Sequence, residues 1–222
     1  MPADLSDTDV LVVAHKVVSK AEGRLRSLSD VHPGERARSL SEPWGKDPRL
    51  VQVVLDESSE VLRAERGVLV CRHHNGLVCA NAGVDLSNVP AGDVALLLPR
   101  DPDASARSLR QRIGELSGAR PAIVVADSFG RPWRLGQTDV AIGAAGVRAL
   151  DDWRGRHDSH GRILAATAIA TADSIAAAAD LARLKSSLQP VVLVRGLGRL
   201  VTIEDGPGAA VLRRPLEEDL FR

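Results

Sequence analysis

Asp85 and Asp127 are the side chains whose placement first suggests chemistry. Asp85 follows a Gly83-Val84 pair beyond one strand-like run, and Asp127 closes another, Ala122 to Ala126. Carboxylates at strand ends, where the backbone bends toward a cleft, recur as ligands that hold Mg2+ or Mn2+ beside phosphates. A local reading competes: each carboxylate closes an Asx turn or caps a helix. Residue type alone leaves both open. From Ser128 to Asp139 the chain then reads Ser-Phe-Gly-Arg-Pro-Trp-Arg-Leu-Gly-Gln-Thr-Asp. Arginine forks bind carboxylates and phosphates bidentately, so Arg131 and Arg134 are candidate contacts for an anionic substrate or phosphate. The alternative is a surface loop laced with ion pairs. Phe129 and Trp133 count against it, because solvated loops seldom take up the aromatics of a chain that has 2% of them. A phosphate-handling enzyme is the preferred reading.

Common nucleotide and zinc signatures are missing. There is no GxxxxGK[ST] loop, Gly196-Leu197-Gly198 lacks the third glycine of a dinucleotide fingerprint, and HExxH does not occur. The histidines, His15, His32, His73, His74, His157 and His160, show no metal-ligand spacing. His73 and His74 read as the cap of an exposed hairpin, and His157 with His160 as part of a charged loop.

The elements that must position these residues can be read from hydrophobic pattern. Asp9 to Ala14 is a buried-strand run that ends in His15-Lys16. Ala21 to Trp44, with Arg24, Arg26, Arg36 and Arg38, reads as a solvated loop. Asp47-Pro48 opens a helix with Leu50, Val51, Val54 and Leu55 at helical spacing. Val68 to Arg72 and Leu77 to Ala80 flank His73-His74-Asn75-Gly76, and Asn-Gly is a strong hairpin signal. Ala95 to Leu98 is a strand, Asp101 to Gly118 a helix with Leu109, Ile113 and Leu116 inward, and Ala122 to Ala126 a third strand. Ile163 to Thr171 reads as strand, Asp173 to Lys185 as an Ala-rich helix and Pro190 to Arg195 as strand. The hairpin demands antiparallel pairing and the elements lack a strict βαβ rhythm. The fold class is therefore α+β, with mixed, largely antiparallel sheets and packed helices.

Composition bounds the partners. Lys plus Arg total 29 and so do Asp plus Glu, so nothing favours nonspecific binding to nucleic acid or a membrane surface. The chain has no Tyr, which leaves little for base stacking. Cys71 and Cys79 fit no CxxC pattern and read as buried free thiols in a reducing cytoplasm. The start of the chain is unlike a secretory signal, and Ile163 to Ala182 carries Asp173 and Asp180, which a membrane span tolerates poorly. A soluble, cytoplasmic protein is expected.

Three blocks bring these readings together. Val12 to Arg24 resembles the opening block of the coenzyme F-420 gamma-glutamyl ligases. Ala80 to Val89 is similar to their second block, and Asp127 to Arg134 with Gly136-Gln137-Thr138-Asp139 to their third. The blocks occur in family order and the likeness spans about Val10 to Gly198. The resemblance implies one ligase unit over residues 1–222, with two lobes meeting around the 81–90 and 127–139 loops. It implies a reaction in which GTP and a divalent metal, Mg2+ or Mn2+, attach L-glutamate to the deazaflavin precursor of coenzyme F-420 through an acyl phosphate. It also implies K+ and a homodimer. By the same resemblance Asp85 and Asp127 hold metal, and Ser128 serves a second metal where relatives carry Thr. His15, Lys20 and Asn88 contact the nucleotide.

Three departures accompany it. Family members carry a further strand and helix, with a Leu-Pro loop that touches GTP, before the first block, whereas nine residues precede Val10 here. They tend to be acidic where this chain has Ala168 and Ser174. Some fuse a flavin-binding reductase domain, for which 222 residues leave no room. Two other expectations therefore stand beside the first. One is a catalytically lapsed homologue that binds the deazaflavin or a partner subunit, and the other a ligase of the same mechanism acting on a different carboxylate.

Overall fold

The computed structural model describes residues 5–87, 93–183 and 188–219. The chain divides into two compact units, one of Met1–Ala14, Pro102–Ser128 and Thr138–Arg222, the other of His15–Asp101 and Phe129–Gln137. In chain order the strands and α-helices begin with β1 (Val10–Ala14), α1 (His15–Ala21) and β2 (Leu25–Ser27). Next come α2 (Glu35–Ser41), α3 (Pro48–Asp56), β3 (Ser58–Glu65), β4 (Val68–His73), β5 (Val78–Ala80) and β6 (Val94–Leu96). Then follow α4 (Pro102–Ser117), β7 (Ala122–Arg131), β8 (Arg134–Ala145), β9 (Leu150–Asp152), β10 (Ala168–Ala170), α5 (Thr171–Leu181) and β11 (Val191–Val194). Helices interspersed with small, largely antiparallel sheets make this an α+β fold, as the hairpin signal required.

In the first unit the sheet order is β11-β1-β7-β8. β1 runs antiparallel to β11 and parallel to β7, with Val10 opposite Ala122 and Ala14 opposite Ala126. Val10, Val12, Ala122 and Val124 share a core with Ala172, Ile175, Ala176 and Ala179 of α5. The alanine face of α5 explains the packing, since small side chains let a helix lie close to a sheet. Ile123, Val125 and Ile142 are also fully buried, so these strands read as unbroken apolar runs.

The start of α4 lies against β8. A Cβ at Gly143 would come 2.2 Å from the Pro102 carbonyl oxygen, so only glycine fits there. The stripe that α4 buries is Pro102, Asp103, Ala106 and Arg110, whereas Leu116 is exposed and Leu109 and Ile113 are half-buried. Arg110 displaces the expected leucine stripe because its guanidinium is satisfied inside the unit. It donates to the carbonyls of Thr202 at 2.7 Å and Ile203 at 3.0 Å and to Asp205 at 2.7 Å. Ile163 to Thr171 is strand only over Ala168–Ala170, which pairs with β9. Ile163 is exposed. The Ala-rich helix begins two residues early, at Thr171, and ends at Leu181; Lys185 lies outside the described residues.

In the second unit β3-β4-β5 form an antiparallel meander and β2 pairs antiparallel with β6. The Asn75-Gly76 hairpin forms as expected, Gly76 taking φ 89°. Cys71 and Cys79 face each other across it, buried and unbridged. Asp47 accepts from the Arg49 amide and caps α3, whose Val51, Val53 and Val54 enter the core.

Three expectations are corrected in this unit. Ala21 to Trp44 holds β2 and α2 rather than a solvated loop, because Leu28, Val31 and Ala37 are spaced among the arginines to reach the core. Arg24 is paired with Glu57 at 2.5 Å. His73 is buried, not part of an exposed cap, since strand alternation places it on the face of Cys71 and Leu69; His74 is exposed. The His15-Lys16 pair likewise starts a helix instead of ending a strand.

Candidate active site

Asp85 stands at the end of strained backbone. Asn81 and Ala82 have φ 51° and Gly83 71°, three consecutive residues in the left-handed region. Such residues persist only where surrounding structure over-determines them, and they concentrate at functional sites. A Cβ on Gly83 would lie 2.5 Å from Leu98 Cγ. The Asp85 amide donates to the Leu96 carbonyl at 3.0 Å, and the Leu96 amide returns a bond of 2.8 Å. With its backbone so clamped, Asp85 offers Oδ1 to the Ser87 amide at 2.7 Å and Oδ2 to Ser87 Oγ at 2.8 Å. Lys16 Nζ donates to the same Oδ2 and, at 2.5 Å, to Ser87 Oγ.

The Asx turn that competed with the metal reading is therefore present. It leaves the metal reading standing, because two carboxylate oxygens carry about four lone-pair sites. Burial raises the Asp85 pKa, but Lys16 and the Ser87 amide and hydroxyl outweigh it and hold the carboxyl below its ordinary value. Asp85 is ionised at neutral pH.

The other predicted residues of this unit divide. Lys20 lies on the exposed side of α1. His15 is 2% exposed, with Nδ1 3.3 Å from Ser19 Oγ, so its ring is part of the packed interior. Asn88 lies outside the described residues. Arg131 and Arg134 are exposed at the ends of β7 and β8, which extend through most of the expected 128–139 loop and leave a turn at Pro132-Trp133. Arg131 spends one donor on the Leu135 carbonyl at 2.8 Å. Trp133 is 83% exposed, which corrects the inference that a scarce aromatic marks a packed loop. Its position at the tip of a two-stranded arm sends it to solvent.

In the other unit, Asp127 and Ser128 are half-buried on β7. Asp127 Oδ1 accepts from the Ser128 amide at 2.8 Å. Ser128 Oγ donates to Asp139 Oδ1 at 2.6 Å, and Arg183 donates to Asp139 Oδ2. Asp139 is 4% exposed. Nearby along the chain, the Asp173 carboxylate accepts from the Ala141 amide at 2.9 Å. Burial outweighs that bond and pushes its pKa up. Ser174 turns its hydroxyl back onto the Ala170 carbonyl at 3.0 Å, and Ala168 is exposed on β10.

Asp85 in one unit, and Asp127 with Ser128 in the other, offer only oxygen, the ligand type Mg2+ and Mn2+ take. Among the described residues no group of three His, Cys, Asp or Glu forms a cage.

Comparison with known proteins sets this chemistry in a family. The model of the F420-0:gamma-glutamyl ligase family matches residues 2–196. The chain belongs to this family. It is 45% identical to the coenzyme F420:L-glutamate ligase of Methanopyrus kandleri, over 99% of this chain and 88% of that protein. Identity to the protein of the same name from Methanothermobacter thermautotrophicus is 43%, over 99% and 86%. The Haloarcula marismortui relative, also named coenzyme F420:L-glutamate ligase, is 44% identical over 99% and 86%.

In this member of the F420-0:gamma-glutamyl ligase family, sequence reasoning passed over Lys16 and Asp139, which touch Asp85 and Ser128, and Arg183, which touches Asp139. Lys16 carried a signal, since it stands four residues before Lys20, one turn away on the same helix. Asp139 closed the quoted third block without being given a role. Arg183 carried none, because an arginine just beyond a helix end reads as surface charge.

Among the described residues no helix is long and apolar enough to cross a membrane.

Proposed function

We propose that this protein is a GTP-dependent ligase that joins L-glutamate to the deazaflavin precursor of coenzyme F-420. The observation that carries the reading is the match along nearly the whole chain to relatives named coenzyme F420:L-glutamate ligase. The oxygen ligands at Asp85 and Asp127, with Lys16 beside the first, support the GTP chemistry. An oxygen of the precursor's terminal carboxylate attacks the γ-phosphorus of GTP, a new O–P bond forms and the bond to the β-phosphate oxygen breaks, releasing GDP. The α-amine of glutamate, having lost a proton, then attacks the carbonyl carbon of the acyl phosphate. The C–N bond forms, the C–O bond to phosphate breaks, and phosphate leaves.

Asp85 in one unit, and Asp127 with Ser128 in the other, would offer oxygen ligands to divalent cations, Ser128 to a second metal, and these would supply charge neutralisation around the triphosphate. Lys16 and Lys20 add fixed positive charge for phosphate, and Arg131 and Arg134 are contacts for anionic substrate. Alignment of the reactants provides the rest of the acceleration. The active form is a homodimer, which sedimentation reads directly.

The decisive assay mixes the purified chain with GTP, Mn2+, K+, L-glutamate and the precursor, and reads the product by mass spectrometry. Addition of a glutamyl group is expected, with GDP and phosphate formed in step; no addition overturns the reading. Asp85→Asn and Asp127→Asn should each abolish turnover while the fold persists, since an amide is a far poorer ligand for a hard cation. Retained activity in both would remove the metal assignment.

A second reading is favoured by the pairing of Asp85 with Lys16 and of Asp139 with Arg183, which already neutralise two carboxylates. It takes the chain as a lapsed homologue that binds the deazaflavin without turnover. Calorimetry separates the two, because a lapsed binder takes up the precursor but shows no Mn2+-dependent affinity for GTP.

A further inference from the structure

Asp151 is buried in β9, and one of its two carboxylate oxygens has no hydrogen-bond donor. Oδ2 accepts from Trp153 Nε1 at 2.8 Å, whereas the buried Oδ1 accepts no hydrogen bond among the described residues. A buried acceptor without a donor is costly, so this oxygen asks for an account. Two guanidiniums stand over it as ion-pair partners, too far away to hydrogen-bond. Arg148 Nη1 lies 3.5 Å from Oδ1 and Arg156 Nη2 lies 3.9 Å from it. Both distances run to one atom, so the two guanidiniums are neighbours. Their side chains are about half exposed, and neither guanidinium makes a hydrogen bond among the described residues.

The backbone that carries these groups is fixed. The Arg148 amide donates to the Leu200 carbonyl at 2.8 Å, and Thr171 Oγ1 donates to the Arg148 carbonyl. The Trp153 amide donates to the Thr167 carbonyl at 2.9 Å. A turn through Gly155, with φ 80°, then closes with the Arg156 amide on the Trp153 carbonyl at 3.0 Å. That turn sets Arg156 Cζ 5.0 Å from the centroid of the Trp153 ring, whose Nε1 Asp151 holds. Arg154 in the same turn differs, because Asp152 takes its Nε at 2.9 Å and its Nη2 at 2.6 Å. Arg154 is committed to the turn, whereas Arg148 and Arg156 present their donors outward.

We propose that Asp151, Arg148 and Arg156 form the subsite for the amino-acid substrate, an α-amino dicarboxylate. The guanidiniums turn onto the ligand's two carboxylates, and Asp151 Oδ1, uncovered by that movement, takes the α-ammonium. The charges match one for one: two cations and one anion in the protein, two anions and one cation in L-glutamate. Forked donors suit carboxylates, and an acceptor-only oxygen suits an ammonium. A phosphate brings no cation and would leave Oδ1 without a donor. The inference rests on the proposed function for the identity of the amino acid and adds where that amino acid binds.

Binding of L-glutamate to the full chain is read by saturation-transfer NMR, independently of turnover. Glutarate, which lacks the amine, and L-glutamine, which lacks the second carboxylate, are the comparison ligands, and L-glutamate should bind more tightly than either. Arg148→Gln and Arg156→Gln should each weaken L-glutamate about ten- to a hundredfold, the scale of one charged hydrogen bond. In the complete assay they should raise the KM for L-glutamate and leave the KM for GTP in place. Asp151→Asn should weaken L-glutamate but not glutarate, because only L-glutamate brings an ammonium to residue 151. Damage to packing would weaken both ligands, and thermal unfolding of each variant reads such damage directly.

Arginine variants that handle L-glutamate as the wild type does would overturn the proposal. So would an Asp151→Asn protein that loses both ligands equally, or a wild type that binds glutarate as tightly as L-glutamate. The subsite and the ligase reading fail separately. L-Glutamate binding that responds to these variants, without glutamyl addition, supports the subsite and removes the ligase reading. Glutamyl addition whose KM for L-glutamate ignores the arginine changes supports the ligase reading and removes the subsite. If the wild type neither binds nor adds L-glutamate, both fall.

Discussion

Replacing Asp103 with alanine should unlatch three segments of one unit at once. Asp103 lies in the first turn of α4 and is 6% exposed. Its Oδ1 accepts from the Ala144 amide of β8 at 2.8 Å and from the Ala209 amide at 2.7 Å, and its Oδ2 accepts from the Ala210 amide at 3.2 Å. One carboxylate thus ties a helix start, a sheet strand and the chain beyond residue 200, while also meeting the positive end of the α4 dipole. Hydrogen bonds to a charged group contribute about 1.5–3 kcal/mol each, and a buried donor left unpaired costs about 1–3 kcal/mol.

Two short bonds and one long one set the gross loss near 4–6 kcal/mol; release of the carboxylate from burial returns part of it, leaving about 3 kcal/mol. Asp103→Asn keeps one oxygen for the donors and should cost about half as much. Urea unfolding measures the sum, and amide hydrogen exchange at Ala144, Ala209 and Ala210 locates it. A loss below about 1 kcal/mol in Asp103→Ala, with protection at Ala144 and Ala209 unchanged, would show that the latch has been misread.

Other consequences follow from the second unit. Glu57 binds Arg24 at 2.5 Å and His73 Nε2 at 3.3 Å. Burial raises its pKa, but His73 and Arg24 together hold it below the ordinary value. Its contribution is therefore fully present above the ordinary glutamate pKa and is lost as pH falls through the lowered one. The stability gap between wild type and Glu57→Gln, about 2 kcal/mol at pH 7 from loss of charged hydrogen bonds, should shrink in acid; a gap that widens there sinks the account. Lys16→Met should raise the Asp85 pKa, since burial remains when the ammonium goes, and a carboxyl-resolved NMR titration that shows no upward movement refutes it. Gly83→Ala combines left-handed backbone with a clash on buried Leu98, and should cost about 2–4 kcal/mol in urea unfolding. A cost within about 0.5 kcal/mol would mean that the loop relaxes freely.

What was legible in the chain depended on how far apart the interacting parts lie. Asn75-Gly76 and Asp47-Pro48 are read correctly because a turn and a cap are settled by neighbours within about four residues. The apolar runs at Val10, Ala122 and Val191 are likewise legible, since a strand buried on both faces leaves a continuous hydrophobic signature. Their parallel and antiparallel order is not, because nothing in Val10–Ala14 records that Ala122–Ala126 lies on one side and Val191–Val194 on the other.

Composition misleads where charge is structural. The arginines between Ala21 and Trp44 conceal Leu28, Val31 and Ala37, and Arg110 reads as surface until the carbonyls of 202 and 203 surround it. The candidate site obeys the same rule. Asp85, Asp127 and Ser128 are visible from residue type and motif, whereas charged partners come from afar: Lys16, 69 residues before Asp85, and Arg183, 44 residues after Asp139. Reactive oxygens are therefore announced locally, but their charge and orientation are tertiary properties.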